Sequence, residues 1–218
     1  MPQSPGIPKG DNRMAKVWQI DPNSPASELI AEAARVIRGK GVIIYPTETL
    51  YGLGADPMST EAMERIYAIK GRAAAKPIPF LIKDEEMLAS LVEEVPPIGR
   101  ELIKRYWPGA LTLIFRAKKG LQPPLRGKAG TIALRITAHP VAQAIVEAMD
   151  APLTATSANL AGKEDIIDGR QLAQLFGNRV DLIIDGGKVA GIGSTVVDLT
   201  VSPVRIVRQG MIKLLLRT

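Results

Sequence analysis

The sequence predicts an α/β fold, a single domain in which helices flank a large, twisted, mixed sheet. Two observations favour this fold class. Short apolar runs rich in β-branched residues alternate along the 218 residues with segments whose apolar positions recur at helical spacing. Gly or Pro bounds most of these segments, and the strand-rich C-terminal part of the chain favours a mixture of parallel and antiparallel pairing.

The first two predicted elements are a helix over 26–38 and a strand within 41–48. Apolar residues at helical spacing fill one side of the helix, acidic residues lie early and basic residues late, and Gly39 ends it. The apolar run that follows predicts a buried strand that ends at Pro46. A strand that ends in a loop is where α/β proteins place ligands.

Two later helices are predicted, and the second of them is the clearest in the chain. One begins at Ser59 or Thr60 and is closed by Gly71, and the other covers 140–149, where Pro140 suits the first turn. The other predicted helices lie at 85–91, 98–106 and near 169–176, and the other predicted strands at 78–82, 111–115, 131–136, 180–185, 194–199 and 204–208.

Composition excludes several classes of protein and site. With no Cys and one His, the chain lacks the ligands for zinc-ribbon, iron–sulfur or thiol chemistry, so any metal is a hard ion held by carboxylates or by a substrate's phosphates. No run reaches the ~18 to 20 apolar residues of a membrane span. We therefore expect a cytoplasmic protein with a flexible, Pro-rich tail at 1–15 and a folded domain at 16–218.

The net charge of +6 favours polyanionic partners such as nucleotides or RNA, although a solvated basic surface gives the same balance. Three cations, Lys70, Arg72 and Lys76, cluster around the end of the second helix. They suit either a clamp for a triphosphate or a solvated helix C-terminus. The chain has no GxxxxGK[ST] sequence, so this is not a P-loop.

A second polar segment, 46–54, follows the first strand and contains hydroxyls, a carboxylate and two glycines that let backbone approach a ligand. A plain glycine turn capped by hydroxyls is the alternative. A third site candidate is Arg135, which shares one strand face with Thr131 and Ala133. An Arg in an apolar strand needs a partner, either a ligand carboxylate or a salt bridge on an edge strand.

In the segment 154–159, a predicted strand ends in small polar residues. Of these, Ser157 and Asn159 are suited to bind phosphate or ribose oxygens. A Ser/Asn turn explains the same run. The segments 191–195 and 208–210 repeat this pattern. His139, the one histidine, precedes a proline and is interpreted as a helix-entry residue, and no Ser/His/Asp order supports a hydrolase triad.

Together these segments resemble the YrdC-like family of threonylcarbamoyl-AMP synthases, in its single-domain form, from about residue 30 to residue 210. The resemblance is carried by seven collinear strings, PTETLYGLGADP, KGR with KP soon after, WPGALTL, ALRITAHP, TSANLAGK, DLIIDGG, and GSTVVDL followed by RQG. It implies a YrdC-like catalytic domain with a concave substrate-binding surface. The chain departs from the family pattern at Thr156 and Gly193, which affects substrate detail only.

The resemblance implies that ATP, L-threonine and bicarbonate become threonylcarbamoyl-adenylate and pyrophosphate, with Mg²⁺ held mainly through the ATP phosphates. The product would pass to tRNA threonylcarbamoyl-transfer proteins, and no membrane partner is implied. The family residues around the nucleotide phosphates, which include the catalytic ones, correspond to Lys70, Arg72, Ser157 and Asn159. Other contacts to ATP correspond to Lys76, Thr131, Ser194 and Arg208. Substrate contacts correspond to Thr47, Ser194 and Arg135, the last of which would hold the threonine carboxylate.

Two other functions are compatible with the same residues. A YrdC-like protein that binds tRNA or other double-stranded RNA would keep the basic concave surface without turning over ATP. A paralogue acting on another carbamoyl adenylate, as in hydrogenase maturation, is the third possibility. Against it, the chain lacks the acylphosphatase-like and Cys-rich segments of those larger proteins.

Overall fold

The computed structural model describes residues 14–71, 78–159 and 165–215. Within these ranges the helices are α1 (Ser27–Arg38), α2 (Thr60–Lys70), α3 (Glu85–Leu91), α4 (Pro97–Tyr106), α5 (Pro140–Met149) and α6 (Gly169–Phe176). The strands are β1 (Lys16–Gln19), β2 (Ile43–Tyr45), β3 (Gly52–Gly54), β4 (Phe80–Leu81), β5 (Leu111–Arg116), β6 (Thr131–Arg135), β7 (Leu153–Thr154), β8 (Thr156–Ser157), β9 (Leu182–Asp185), β10 (Thr195–Asp198) and β11 (Arg205–Arg208).

The strands form two mixed sheets. Sheet A has the order β1-β9-β2-β3-β8, and sheet B the order β11-β10-β5-β6-β4-β7. Each contains parallel pairs, such as β1 with β9 and β5 with β10, and antiparallel pairs, such as β2 with β3 and β5 with β6. The α/β class and the mixed strand direction are confirmed, but the strands divide between two sheets where one large sheet was predicted. The chain passes from sheet B to sheet A at Ala155, the one residue between β7 and β8.

Helices cover both faces of sheet A. Along β9, Leu182 and Ile184 pack with α1 and α5, whereas Ile183 packs on the opposite face with α2 and α6. Alternate side chains of a strand point to opposite faces, so a strand covered on both sides is apolar throughout, as the predicted run at 180–185 indicated.

One face of sheet B packs on α3 and α4. Leu113 of β5 and Leu134 of β6 lie in this core. The residues that alternate with them, Thr112 and Arg135, therefore point to the other face, where a cavity lies. This arrangement brings polar side chains from otherwise apolar strands to one side of the sheet.

The helix ends follow the predicted capping residues. The Ser59 side chain accepts a hydrogen bond from the Ala62 amide at the start of α2, and Gly71 ends that helix in the left-handed conformation, with φ of 59°. None of the described helices has the length and apolar content needed to cross a membrane.

Strands β1 and β3 were not predicted. The proposed tail at 1–15 lies mostly outside the described residues, so the boundary at residue 16 stays a prediction. Within the described part, the Ala15 amide donates to the Gly177 carbonyl oxygen, and β1 then pairs with β9. The Gly-rich strand β3 occupies the segment where a glycine turn was the alternative to a ligand loop.

Candidate functional site

A cavity of about 360 Å³ opens between the two sheets, at the lower end of the volumes typical of small-molecule sites. Five predicted site residues line it: Thr47, Arg135, Ser157, Ser194 and Arg208. The cavity wall also includes polar residues that were not predicted as site residues: Thr49, Thr112, Asp165 and Gln209.

Thr47 organises the turn that follows β2. Its hydroxyl lies 2.6 Å from the Leu50 carbonyl oxygen, to which it donates, and it accepts from the amides of Thr49 and Leu50 at 3.2 and 3.1 Å. The Thr49 hydroxyl is a further 2.8 Å partner. A hydroxyl has one proton and two lone pairs, so that of Thr47 is saturated by the protein. In this conformation Thr47 shapes the turn, and its hydroxyl has no capacity left for a ligand.

Arg135 is held by the same turn. Its Nη2 atom lies 2.7 Å from a carboxylate oxygen of Glu48, and its Nη1 atom donates to the Thr49 hydroxyl at 3.2 Å. Thr137 donates to the same Glu48 oxygen at 2.6 Å. The predicted salt bridge therefore exists, but its predicted place on an edge strand is wrong, because β6 lies between β5 and β4. Only 6% of Arg135 is exposed, and its Nε atom is buried without a partner in the described ranges.

The Lys70 ammonium connects the end of α2 to the segment that carries β8. It donates to the Ser157 carbonyl oxygen at 2.6 Å and also contacts Asn159 Oδ1. The Ser157 hydroxyl donates to that same Asn159 oxygen at 2.9 Å. Three of the four residues predicted around the nucleotide phosphates thus lie together, although only Ser157 lines the cavity. The fourth, Arg72, lies outside the described residues, as does Lys76.

Ser194 and Arg208 form the cluster at the far side of the cavity. Arg208 donates from Nε to the Ser194 carbonyl oxygen at 3.0 Å and from Nη2 to the Ser194 hydroxyl at 3.1 Å. A Cβ added to Gly193 would touch this guanidinium at 3.4 Å, and one added to Gly210 would lie 2.2 Å from the Gly193 carbonyl oxygen. The two glycines therefore allow the backbone approach and the guanidinium packing that fix Arg208 in place.

Thr131 is not brought to the cavity. It shares a strand face with Arg135, as predicted, but it lies four residues away, roughly 13 Å along an extended strand. It does not belong to the cavity lining, whereas Arg135 does. The prediction that Thr131 and Arg135 share a strand face is correct. Two residues on one strand face need not belong to the same site.

His139 is the residue that precedes α5, which agrees with its interpretation as a helix-entry residue. Its Nδ1 atom is buried and has no hydrogen-bond partner in the part of the chain that the structure describes. Burial lowers the pKa of the imidazole, while the Glu48 carboxylate opposes that shift and the Arg135 charge adds to it. The imidazole is therefore neutral near pH 7.

A buried network supports the other end of the Thr47 turn. Tyr51 donates its hydroxyl to the Gly187 carbonyl oxygen at 2.6 Å and lies 3.3 Å from the Asp185 carboxylate. Gln19 donates to Asp185 at 2.7 Å. Burial raises the pKa of Tyr51, so the phenol keeps its proton. A Cβ on Gly169 would lie 1.8 Å from Asp185, so only glycine fits there.

Besides Asp165 and Gln209 at the cavity wall, the site residues that sequence reasoning missed are Glu48, Thr49 and Thr112. Glu48 and Thr49 stand inside the segment 46–54 that was singled out, so their type and place were visible. Thr112 alternates with apolar residues in a predicted strand, and its polar side chain was the available signal for a second, functional face.

Comparisons with known proteins find a matching family model and several similar proteins. The model of the Sua5/YciO/YrdC family, described as telomere recombination, matches residues 35–210. A protein of Pyrococcus abyssi named threonylcarbamoyl-AMP synthase is 38% identical over 82% of this chain and 53% of its own length. One of the same name from Nitrosococcus oceani is 40% identical over 73% of this chain and 87% of its own.

A solved structure, that of P. abyssi Sua5 complexed with L-threonine, superimposes with a TM-score of 0.84 at 35% identity. The match covers 89% of this chain and 57% of that one. The chain thus spans about half the length of the P. abyssi relative and most of the length of the N. oceani relative.

Proposed function

This chain belongs to the Sua5/YciO/YrdC family, and from that membership we propose that it is an L-threonylcarbamoyladenylate synthase. The reaction would convert ATP, L-threonine and bicarbonate to threonylcarbamoyl-AMP and pyrophosphate, and the product would serve tRNA modification. The observation that carries the proposal is the cavity between the sheets, lined by two arginines and several hydroxyls and without a thiol or histidine. Similarity to proteins named threonylcarbamoyl-AMP synthase supports it.

This lining suits a reaction that needs no protein nucleophile. The threonine amine attacks bicarbonate with loss of water, or carbon dioxide with loss of a proton to solvent, and an oxygen of the resulting carbamate then attacks the α-phosphorus of ATP. The new P–O bond forms as the bond to the β-phosphate breaks, and pyrophosphate leaves. Cations and hydroxyl donors that position the two substrates and stabilise the developing charge supply catalysis of this kind.

Lys70, together with Arg72, would neutralise the triphosphate, and the Ser157 hydroxyl, which donates to Asn159 Oδ1, would hold the Asn159 side chain beside it. The Lys70 ammonium is already held by two oxygens, those of Ser157 and Asn159, so it is fixed before ATP arrives. Arg135 would offer its remaining N–H groups to the threonine carboxylate, while Glu48 and Thr49 hold its orientation. Fixed donors cost little reorganisation in the transition state.

Mg²⁺ would accompany the ATP and offset phosphate charge. The described residues contain no group of three or more His, Cys, Asp or Glu side chains that could hold a metal, while Asp165 supplies a carboxylate at the cavity wall. This donor set fits an ion held mainly through substrate phosphates, because Mg²⁺ commonly keeps its waters and takes few protein ligands.

The test is pyrophosphate release from Mg-ATP and bicarbonate, with and without L-threonine. We expect release that depends on threonine in the wild type and falls at least about 100-fold in Lys70→Ala, because a buried, fixed cation at the phosphates is lost. Lys118→Ala, which removes an exposed lysine that does not line the cavity, is the matched control and should keep wild-type release. Lys70→Met keeps the aliphatic stem if the alanine variant does not fold.

Failure to release pyrophosphate in a threonine-dependent manner from folded wild type would overturn the proposed reaction. Salt-sensitive binding of double-stranded RNA by the same preparation would then favour an RNA-binding function. Release that depends on another acceptor would favour a paralogue with a different carbamoyl adenylate. If pyrophosphate release depends on threonine, transfer of the threonylcarbamoyl group to tRNA by downstream threonylcarbamoyl-transfer proteins is the next step to measure.

A further inference from the structure

Thr112 is a polar residue buried in the middle of an apolar strand. It lies in β5, is 3% exposed, and lines the cavity, whereas its neighbours Leu111 and Leu113 face the core of sheet B. A threonine that served only to fill space would be replaceable by valine, which has the same shape. The hydroxyl is therefore the feature that requires an explanation.

The Thr112 hydroxyl contacts the hydroxyl of Ser194 at 2.8 Å. Ser194 stands immediately before β10, which pairs with β5, and it receives Nη2 of Arg208 from the end of β11. Three neighbouring strands thus place a chain of polar atoms, Thr112 Oγ1, Ser194 Oγ and Arg208 Nη2, along one side of the cavity.

The protons in this chain are not all used by the protein. The two hydroxyls carry two protons, and their mutual hydrogen bond consumes one. Ser194 Oγ accepts the Arg208 N–H, and within the described ranges neither hydroxyl has a second acceptor. Whichever hydroxyl donates to the other, one proton remains for the occupant of the cavity. The Thr47 hydroxyl differs from these two, because it donates its proton to the Leu50 carbonyl oxygen.

Arg208 adds positive charge at the same place. Two of its N–H groups are used on Ser194, and three remain. None of the described carboxylates lies within salt-bridge distance of Arg208, although Arg135 has such a partner in Glu48. A guanidinium beside a free hydroxyl proton recognises an anionic oxygen, since both groups donate.

We propose that Thr112 is a positioning residue that orients the Ser194 hydroxyl toward an anionic oxygen of the ligand, which Ser194 and Arg208 are already expected to contact. The oxygen belongs to a carboxylate or a phosphate, which are the threonine and ATP groups under the proposed function on which this inference rests. In this arrangement Thr112 donates to Ser194 Oγ, so the proton left for the ligand is that of Ser194, and Thr112 acts through Ser194. Its removal leaves Ser194 free to rotate away from the ligand.

The test compares Thr112→Val with Thr112→Ser. The valine variant keeps the shape and removes the hydroxyl, and we expect the KM for one substrate to rise about 10-fold or more, as for loss of a hydrogen bond to a charged group. The serine variant keeps the hydroxyl and should return within about threefold of wild type. A rise in the KM for threonine assigns the oxygen to the carboxylate, and a rise for ATP assigns it to a phosphate.

Thr200→Val is the matched control. The Thr200 hydroxyl donates to the carboxylate of Asp198, the last residue of β10, at 2.6 Å, so the variant removes a threonine hydroxyl that follows the same strand and does not line the cavity. It should leave both KM values unchanged. Thermal unfolding of all variants separates a local effect from a loss of fold.

A double-mutant cycle with Ser194→Ala distinguishes positioning from an independent contact. If Thr112 acts through Ser194, adding Thr112→Val to Ser194→Ala raises the KM no further. Multiplicative effects, or a wild-type KM for both substrates in Thr112→Val, overturn the inference. If Thr112→Val does not fold, Thr112→Ala is used in the same cycle.

Direct titration keeps this inference separate from the proposed reaction. Inactive wild-type protein would overturn the reaction alone, and binding of L-threonine, Mg-ATP and inorganic pyrophosphate by wild type and Thr112→Val would then be compared by calorimetry. At least a tenfold weaker binding of one probe by the variant supports the positioning role of Thr112. Equal affinities, or no binding of any of the three probes to the wild type, overturn it.

Discussion

The two ends of the cavity use similar residues in different ways. At the Thr47 end, the Thr47 hydroxyl is saturated by protein groups and the Arg135 charge is paired with the Glu48 carboxylate. At the Arg208 end, a hydroxyl proton has no protein acceptor and the guanidinium has no carboxylate within salt-bridge distance in the described part of the chain. The comparison shows that a polar residue in a pocket recognises a ligand with the protons and charge that no protein group already uses.

The largest expected effect is on stability at the Thr47 end. Arg135→Ala leaves the Glu48 carboxylate, whose side chain is 19% exposed, without its cation. Loss of one partner of a buried pair costs about 3–5 kcal/mol of unfolding free energy, and we expect threonine-dependent turnover to fall with it. Urea unfolding measures the change. A loss below about 1 kcal/mol would break the comparison, because the pair would then not be holding this end together.

The next effect separates binding from stability at the Arg208 end. Arg208→Gln changes an exposed side chain, so the free energy of unfolding should stay within about 0.5 kcal/mol of wild type. The KM for one substrate should rise about 10-fold or more, because a cation aimed into the cavity is lost. Wild-type kinetics would contradict a recognition role for this end, and marked destabilisation would make the two ends alike.

The smallest effect is a pH dependence near the Thr47 end. Burial lowers the pKa of His139 in the folded state, so the unfolded chain takes up the proton first as the pH falls. The free energy of unfolding should therefore decrease below the unfolded pKa of about 6.5, with a slope of at most about 1.4 kcal/mol per pH unit. His139→Gln should lack this component in urea unfolding at pH 7.5 and 5.5. If the unfolding free energy of His139→Gln depends on pH as strongly as that of the wild type, groups other than His139 cause the pH dependence.

Local signals predicted the helices and most strands, because their causes lie within a few residues. The period of 140–149 and the stops at Gly39 and Gly71 matched the observed ends closely. Strand β3 was missed because its glycines resemble a turn. In the structure, a Cβ on Gly52 would lie 2.9 Å and one on Gly54 2.8 Å from the Tyr45 ring, so a neighbouring strand requires them.

The candidate site was predicted as a set of residue types, and its internal bonding was not. Arg135 and Glu48 lie 87 positions apart in the sequence, and only the fold makes them partners. The same holds for Thr112 and Ser194, which are 82 positions apart. A sequence shows that Arg135 needs a partner, but the choice between a ligand and the protein depends on long-range packing.

The glycine strand β3 also bears on how a site of this kind diversifies. Any side chain at Gly52 or Gly54 would collide with the Tyr45 ring, so few sequence changes are tolerated beneath the Thr47 turn. Ile192 is 53% exposed and Gln209 is also exposed, yet both border the cavity. Because these rim side chains are exposed, substitutions there cost little packing, and a new substrate preference would arise more readily at the rim than at β3.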